Sequence, residues 1–203
     1  MNKINLRKPF FLLLIALISY FLLDRGITLK CATFSKAYRP FLKGCTLLIF
    51  PPLYLTLSLG SLVISRLKKS PLTLLFFEIF VSQCLSVAFV RVSKILIGKA
   101  RPDIFLKKGI YGFYGFEWDH HFHSFPSGHS MAVFTLTATL SHFFPRFTPH
   151  FFIVGSTLAM SRILLLGHFL SDVIGTCALS LIIASAVHLF IQSIQGDYIH
   201  ERI

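Results

Sequence analysis

The feature that most constrains how this chain can fold is a series of six apolar runs within 203 residues, each near the length that crosses a bilayer. They extend from about Pro9 to Leu23, Cys45 to Ser65, Pro71 to Gly98, Gly128 to Phe144, Pro149 to Leu166 and His168 to Ile194. Lipid offers no hydrogen bonds to the backbone, so a spanning segment must be a helix or part of a closed barrel. Continuous runs of this length fit helices. Composition agrees: only 14% of residues are charged and the mean hydropathy is +0.71, whereas a soluble domain carries about a quarter charged residues. The expected architecture is all-α, a six-transmembrane-helix bundle, forming a single integral-membrane domain over residues 1–203. No internal repeat or low-complexity tract interrupts it.

Met1 to Lys8 is basic and precedes an apolar run, as in a signal peptide. No A-x-A cleavage pattern follows, so a retained anchor helix is expected. Pro51 and Pro52 should kink the second helix. Two connections are long, Asp24 to Gly44 and Lys99 to Pro126, and both are expected as loops. Cys31 and Cys45 can pair if the first loop faces an oxidising compartment, while Cys84 and Cys177 fall in apolar runs where a thiol packs as a small hydrophobe. Six spans place both termini on one side. Lys3, Arg7, Lys8, Arg66, Lys68, Lys69, Arg146 and Arg202 share that side. The opposite side carries at least as many basic residues, several with a substrate reason to be there, so charge does not settle the orientation. The tight clusters at the N-terminus and at Arg66 to Lys69 favour cytoplasmic termini. The net charge of +12 suits an anionic lipid surface or substrate. The basic residues are scattered between apolar runs and form no stripe, which argues against nucleic acid.

Three clusters carry chemistry. Lys94 and Arg101 are seven residues apart, two turns along one helix face, with Pro102 ending the helix; the pair can hold a phosphate or merely snorkel to lipid headgroups. Phe125-Pro126-Ser127-Gly128-His129 opens the fourth segment. Ser127 and the free N–H groups of a helix start form an anion site, and Gly128 admits close approach; an ordinary serine cap beside a chance histidine is the alternative. Ser161-Arg162 precedes His168 and Asp172, whose i, i+4 spacing permits a hydrogen bond that would fix the imidazole tautomer. Asp172 is the only acidic residue between His120 and Gly196, and a lone membrane carboxylate is costly and usually functional. By the parity of six spans, all three clusters meet at one membrane face.

K-x6-RP, PSGH and SR-x5-H-x3-D together resemble the three signatures of the type-2 phosphatidic acid phosphatase superfamily, which also contains vanadium-dependent haloperoxidases. All three are complete here, at Lys94/Arg101/Pro102, Pro126 to His129, and Ser161/Arg162/His168/Asp172. The resemblance implies a lipid phosphatase that needs no cofactor and no metal. His168 would attack phosphorus and form a phosphohistidine, Asp172 would orient its ring, and His129 would act as the acid and then activate water. Lys94, Arg101, Arg162, Ser127 and the Gly128 N–H would bind the phosphate oxygens.

The partners implied are a lipid phosphate and the bilayer, in a bacterial inner membrane with the active site facing the periplasm. Lys107, Lys108, Tyr111, Tyr114 and Trp118 suggest a large anionic headgroup, favouring lipid A or undecaprenyl pyrophosphate over phosphatidylglycerol phosphate or phosphatidic acid. A lipid phosphotransferase using the same histidine and a non-enzymatic lipid transporter are the competing functions. Asp119, His120, His121 and His123 read as loop residues near the headgroup rather than as a metal site, since zinc-type spacing is absent. Glu78, a lone acid inside the third segment, has no assigned role.

Overall fold

The computed structural model describes residues 6–34 and 38–200; Lys3 and Arg202 lie outside them. The described chain is helical: α1 (Arg7–Leu22), α2 (Asp24–Phe34), α3 (Arg39–Leu48), α4 (Pro51–Leu67), α5 (Thr73–Ile97), α6 (Pro102–Lys108), α7 (Gly128–Phe143), α8 (Thr148–Leu164) and α9 (Leu170–His200). No strand occurs among the described residues, only isolated bridges from Lys99 to Phe113 and His123. Helix α7 sits at the centre against α5, α8 and α9; α1 lies along α9, α4 along α5, and α3 against α8.

Among the described residues, three stretches are long and apolar enough to cross a membrane: Arg39–Leu67, Thr73–Ile97 and Leu170–Ile194. A fourth candidate is α1 with α2, bent by 67° at their junction. With 16 and 17 residues, α7 and α8 fall short of that length. The structure thus supplies three or four candidate spans where six were expected.

The polarity of the bundle is that of a protein in lipid. Large apolar side chains such as Phe10, Leu22 and Phe190 face outward, while Ser82, Gln83, Ser86, Thr135, Thr139, Thr176 and Ser180 are buried. Several of these join helices. Ser86 and Thr135 share a hydrogen bond of 2.8 Å, and Gln83 Nε2 donates to the Ala132 carbonyl at 2.9 Å. Small polar residues hold helices together where lipid removes the hydrophobic drive for association. Glycine adds close approach: a Cβ on Gly155 of α8 would lie 2.8 Å from Thr137 Oγ1 of α7.

Two sequence expectations need correction. The stretch from Asp24 to Gly44 is not a loop, for α2 and α3 occupy most of it. Asp24 turns the chain back along the bundle: fully buried, it accepts from the Ser171 N–H at 2.9 Å, the Ser171 hydroxyl and the Tyr111 hydroxyl. Pro51 and Pro52 do not kink a helix; they start α4, where a missing N–H leaves no bond unmade. The four cysteines are free, so Cys31 and Cys45 are unpaired.

Candidate active site

Helix α5 carries Lys94 in its last turn and stops at Gly98, whose φ of 54° is left-handed. A side chain there is impossible without movement, since a Cβ would sit 2.0 Å from the Gly115 carbonyl oxygen. The connection from Lys99 to Pro126 then folds back over the helix end, with Tyr114, Gly115 and Glu117 donating to the carbonyls of Gly98, Ile97 and Ile95. Arg101 therefore does not continue α5 as the spacing suggested. It is the extended N-cap of α6, and Pro102 begins that helix instead of ending one. The Arg101 N–H donates to the His121 carbonyl at 2.9 Å, and Lys94 Nζ donates to the His123 carbonyl at 2.8 Å.

Ser127 caps α7, the Ser127 carbonyl accepting the first helical bond from Met131 and the hydroxyl meeting the Ser130 N–H and hydroxyl. The N–H groups of Gly128 and His129, first in the helix, have no carbonyl within it. Phe125 seats this turn on α9: a Cβ on Gly175 would lie 2.9 Å from the Phe125 ring. Arg162 ends α8. Its carbonyl accepts from Gly167 N–H at 3.0 Å and His168 N–H at 3.2 Å, which fixes the histidine relative to the guanidinium.

These parts enclose a cavity of about 480 Å³. Its wall contains Lys94, Arg101, Gly128, His129, Arg162 and His168, so residues from the ends of α5, α7, α8 and the segment before α9 meet as expected. Arg91 adds a fourth cation, and among the described residues no carboxylate lines the cavity. The Nε atoms of Arg101 and Arg162 are buried without hydrogen-bond partners. Buried donors left unpaired are costly, and an anion would satisfy both. The remaining wall is largely apolar, from Phe50, Pro51, Pro52 and Leu55 at the start of α4 to Val87 and Val90 of α5 and Met131 and Ala132 of α7. His120 and His123 also line the cavity.

Two of the expected site residues stand behind this wall. Ser127 is fully buried with its hydroxyl turned to Ser130, so it shapes the turn and does not face the cavity. Asp172 makes no hydrogen bond to His168; the nearest approach is 3.9 Å. Helix α9 begins at Leu170, after the histidine, so the i, i+4 argument does not apply. The imidazole Nδ1 instead lies 2.6 Å from the Ser124 carbonyl. A carbonyl only accepts, so Nδ1 carries the ring proton and Nε2 keeps its lone pair. Burial first, and then the charges of Lys94, Arg162 and Arg101, hold the His168 pKa well below that of a free histidine, leaving the ring neutral.

Asp172 acts one bond further out. It accepts from the Phe169 N–H at 2.9 Å, from the Ser124 hydroxyl at 2.5 Å and from Lys99 Nζ at 2.6 Å. Reaching back from the first turn to the N–H before it, the carboxylate caps α9. Through Ser124 it also fixes the carbonyl that orients His168. Lys99, itself fully buried, bonds the Ser171 hydroxyl at 2.7 Å and lies 3.6 Å from Asp24.

Lys99, Asp24, Ser124, Arg91 and Gly167 have no site role in the sequence analysis. One signal was present for Asp24, the only acid before Glu78, and one for Arg91, a turn before Lys94. Tyr111 was assigned to the headgroup but turns inward, its hydroxyl 2.7 Å from the Tyr20 carbonyl. Gly167 has a steric role: a Cβ would lie 2.7 Å from Arg162 Nη2. Gly167→Ala should therefore displace the guanidinium. Loss of one charge-assisted hydrogen bond, about 1.5–3 kcal/mol, should raise the vanadate inhibition constant about 10- to 100-fold. Gly26→Ala, with open space around its Cβ, is the control for that inhibition measurement.

Residues 74–195 match the model of the PAP2 superfamily. Two curated relatives are similar over half the chain. A lipid A 1-phosphatase of Rhizobium johnstonii is 38% identical over 104 residues, covering 51% of this chain and 41% of that protein. A lipid A 1-phosphatase of Rhizobium etli is 36% identical over 100 residues, covering 49% and 43%. The matched stretch thus spans less than half the length of these relatives. Among solved structures, a transmembrane PAP2-type phosphatidylglycerolphosphate phosphatase from Bacillus subtilis superposes with a TM-score of 0.57, covering 92% of this chain and 97% of that one. At 20% identity that likeness is one of fold.

Proposed function

Because the chain belongs to the PAP2 superfamily, we propose that it is a metal-independent membrane phosphatase that releases phosphate from an envelope lipid through a phosphohistidine on His168. The observation that carries this reading is the cavity wall, with four cations, two of them with unpartnered Nε donors, and no carboxylate. The apolar half of the same cavity favours a lipid over a soluble phosphate ester. Lipid A is the favoured substrate, in keeping with the names of the two relatives. Undecaprenyl pyrophosphate, phosphatidylglycerol phosphate and phosphatidic acid share its phosphate chemistry.

In this mechanism His168 Nε2 attacks phosphorus as the bond to the lipid oxygen breaks. His129 gives its proton to that oxygen. His129 then takes a proton from water, and the hydroxide displaces His168 to release inorganic phosphate. Lys94, Arg101, Arg162 and the Gly128 N–H stabilise the charge on the equatorial oxygens. Ser127 holds the turn that presents Gly128 and His129, while Asp172 and Ser124 hold the His168 ring. The site opens away from the cytoplasm of a bacterial inner membrane. A cysteine introduced at exposed Trp118 should then react with an impermeant maleimide added to intact spheroplasts.

The deciding experiment offers detergent-purified protein the four lipid phosphates. Free phosphate should appear, fastest from lipid A, and vanadate should inhibit by mimicking the five-coordinate transition state. Transfer of phosphate to an added lipid acceptor without release would make the chain a phosphotransferase. No reaction of folded protein with any of the four would leave only lipid binding.

A further inference from the structure

The end of the bundle opposite the cavity holds a second cluster of chemistry-bearing side chains. Glu78 lies in the second turn of α5, His142 in the last turn of α7 and His188 five turns along α9. The site is thus about 27 Å along α9 from its first residue. Glu78 is 1% exposed. Both of its oxygens lie 3.0 Å from His188 Nδ1, and Oε1 lies 3.6 Å from His142 Nδ1. The two imidazoles stack with centroids 4.3 Å apart, and the three potential ligand atoms fall within 4.8 Å of one another.

We propose that Glu78, His142 and His188 form a binding site for one divalent transition-metal ion, zinc foremost, that clamps α5, α7 and α9 at the end remote from the phosphate site. Two ligands about 2.1 Å from a tetrahedral zinc stand about 3.4 Å apart, so separations of 3.0 and 3.6 Å need little adjustment. His142 Nδ1 is buried and has no hydrogen-bond partner, which a coordinated ion would supply. Two imidazoles and one carboxylate select zinc, cobalt or nickel over magnesium and calcium, which prefer oxygen alone. The rings are 20% and 24% exposed, leaving an entry path and a fourth position for water. Gln192 lies 2.9 Å from His188 Nε2. With metal on Nδ1 the ring proton moves to Nε2, and a half-turn of the Gln192 amide brings its carbonyl oxygen to accept it, an outer partner of the kind that steadies metal-bound histidines. No step of the phosphate chemistry uses this site.

The test is a titration of metal-stripped, detergent-purified full chain with zinc against a chromophoric chelator, followed by thermal unfolding. One equivalent should bind and raise Tm. Cobalt should give the visible absorption of a tetrahedral nitrogen–oxygen site. Outer partners of metal-bound histidines are worth about 10- to 100-fold in affinity, so loss of a ligand in Glu78→Gln should cost more than about 100-fold. His142→Ala keeps both Glu78–His188 contacts and so tests the site without removing its hydrogen bond. It should lose both the zinc affinity and the zinc-dependent Tm shift. His120→Ala, which breaks the exposed group of Asp119, His120 and His121, should bind as the parent does. Absence of stoichiometric uptake, or uptake that His142→Ala and Glu78→Gln leave unchanged, would overturn the proposal and leave a proton-bridged carboxylate in its place.

Discussion

His129→Ala protein mixed with an aryl phosphate should accumulate phosphohistidine, and His168→Ala protein should form none. An aryl oxide leaves without a proton, so the first step needs only the Nε2 lone pair that the Ser124 carbonyl leaves exposed. The second step still needs a base to activate water. Loss of a general acid or base costs about 10²- to 10⁴-fold, so the phosphoenzyme should persist long enough for rapid-quench detection. On a lipid ester, whose alkoxide leaves poorly, both variants should be nearly inactive. In phosphoenzyme formation from the aryl phosphate, Asp172→Asn should lie between them, slowed by a loosened Ser124 rather than by a directly altered imidazole. A phosphoenzyme on His168→Ala would assign the nucleophile to another residue.

Lys99→Met should be the most destabilising single change in the polar interior. The ammonium lies 2.6 Å from Asp172 and 3.6 Å from Asp24, with side-chain exposures of 2% or less throughout. It also stands over the Tyr20, Phe113 and Phe169 rings at 4.9–5.3 Å. Removing one partner of a buried ion pair costs about 3–5 kcal/mol because the other charge remains unpaired. Thermal unfolding in detergent should show a large fall in Tm. Adding Asp24→Asn to Lys99→Met should recover part of it, since one of the two stranded charges is gone. The same double mutant should remain slow in catalysis, because Asp172 would still lack the ammonium that fixes it behind Ser124. Additive losses in Tm would mean that Lys99 and Asp24 do not share a charge network.

The cavity-lining residues were legible in the sequence because polar side chains within apolar runs have few reasons to be there. Lys94, Arg101, His129, Arg162 and His168 all reach one cavity wall, although the six spans on which the parity argument rested are not found. Spacing failed where it presumed continuous helix. Arg101 and His168 lie just outside helices, so a count of seven or four residues between them and a neighbour does not fix an angle. Local pattern also could not show that Lys99 would turn inward, away from its neighbours Lys94 and Arg101, to meet Asp24 and Asp172. Such a network joins parts of the chain more than seventy residues apart in sequence and is visible only once the helices are packed.

The two-sided character of the cavity bears on the direction of the reaction. On the proposed reading, substrate uses both halves at once, the apolar wall for its chains and the cluster of cations for its phosphate. Hydrolysis severs that double requirement. In the proposed reaction the lipid gives up the phosphoryl group that the cations held and stays in the bilayer, while inorganic phosphate escapes into water. Re-synthesis would require the two to meet again from separate phases, so on the proposed reading partition adds to bond energy in favouring release.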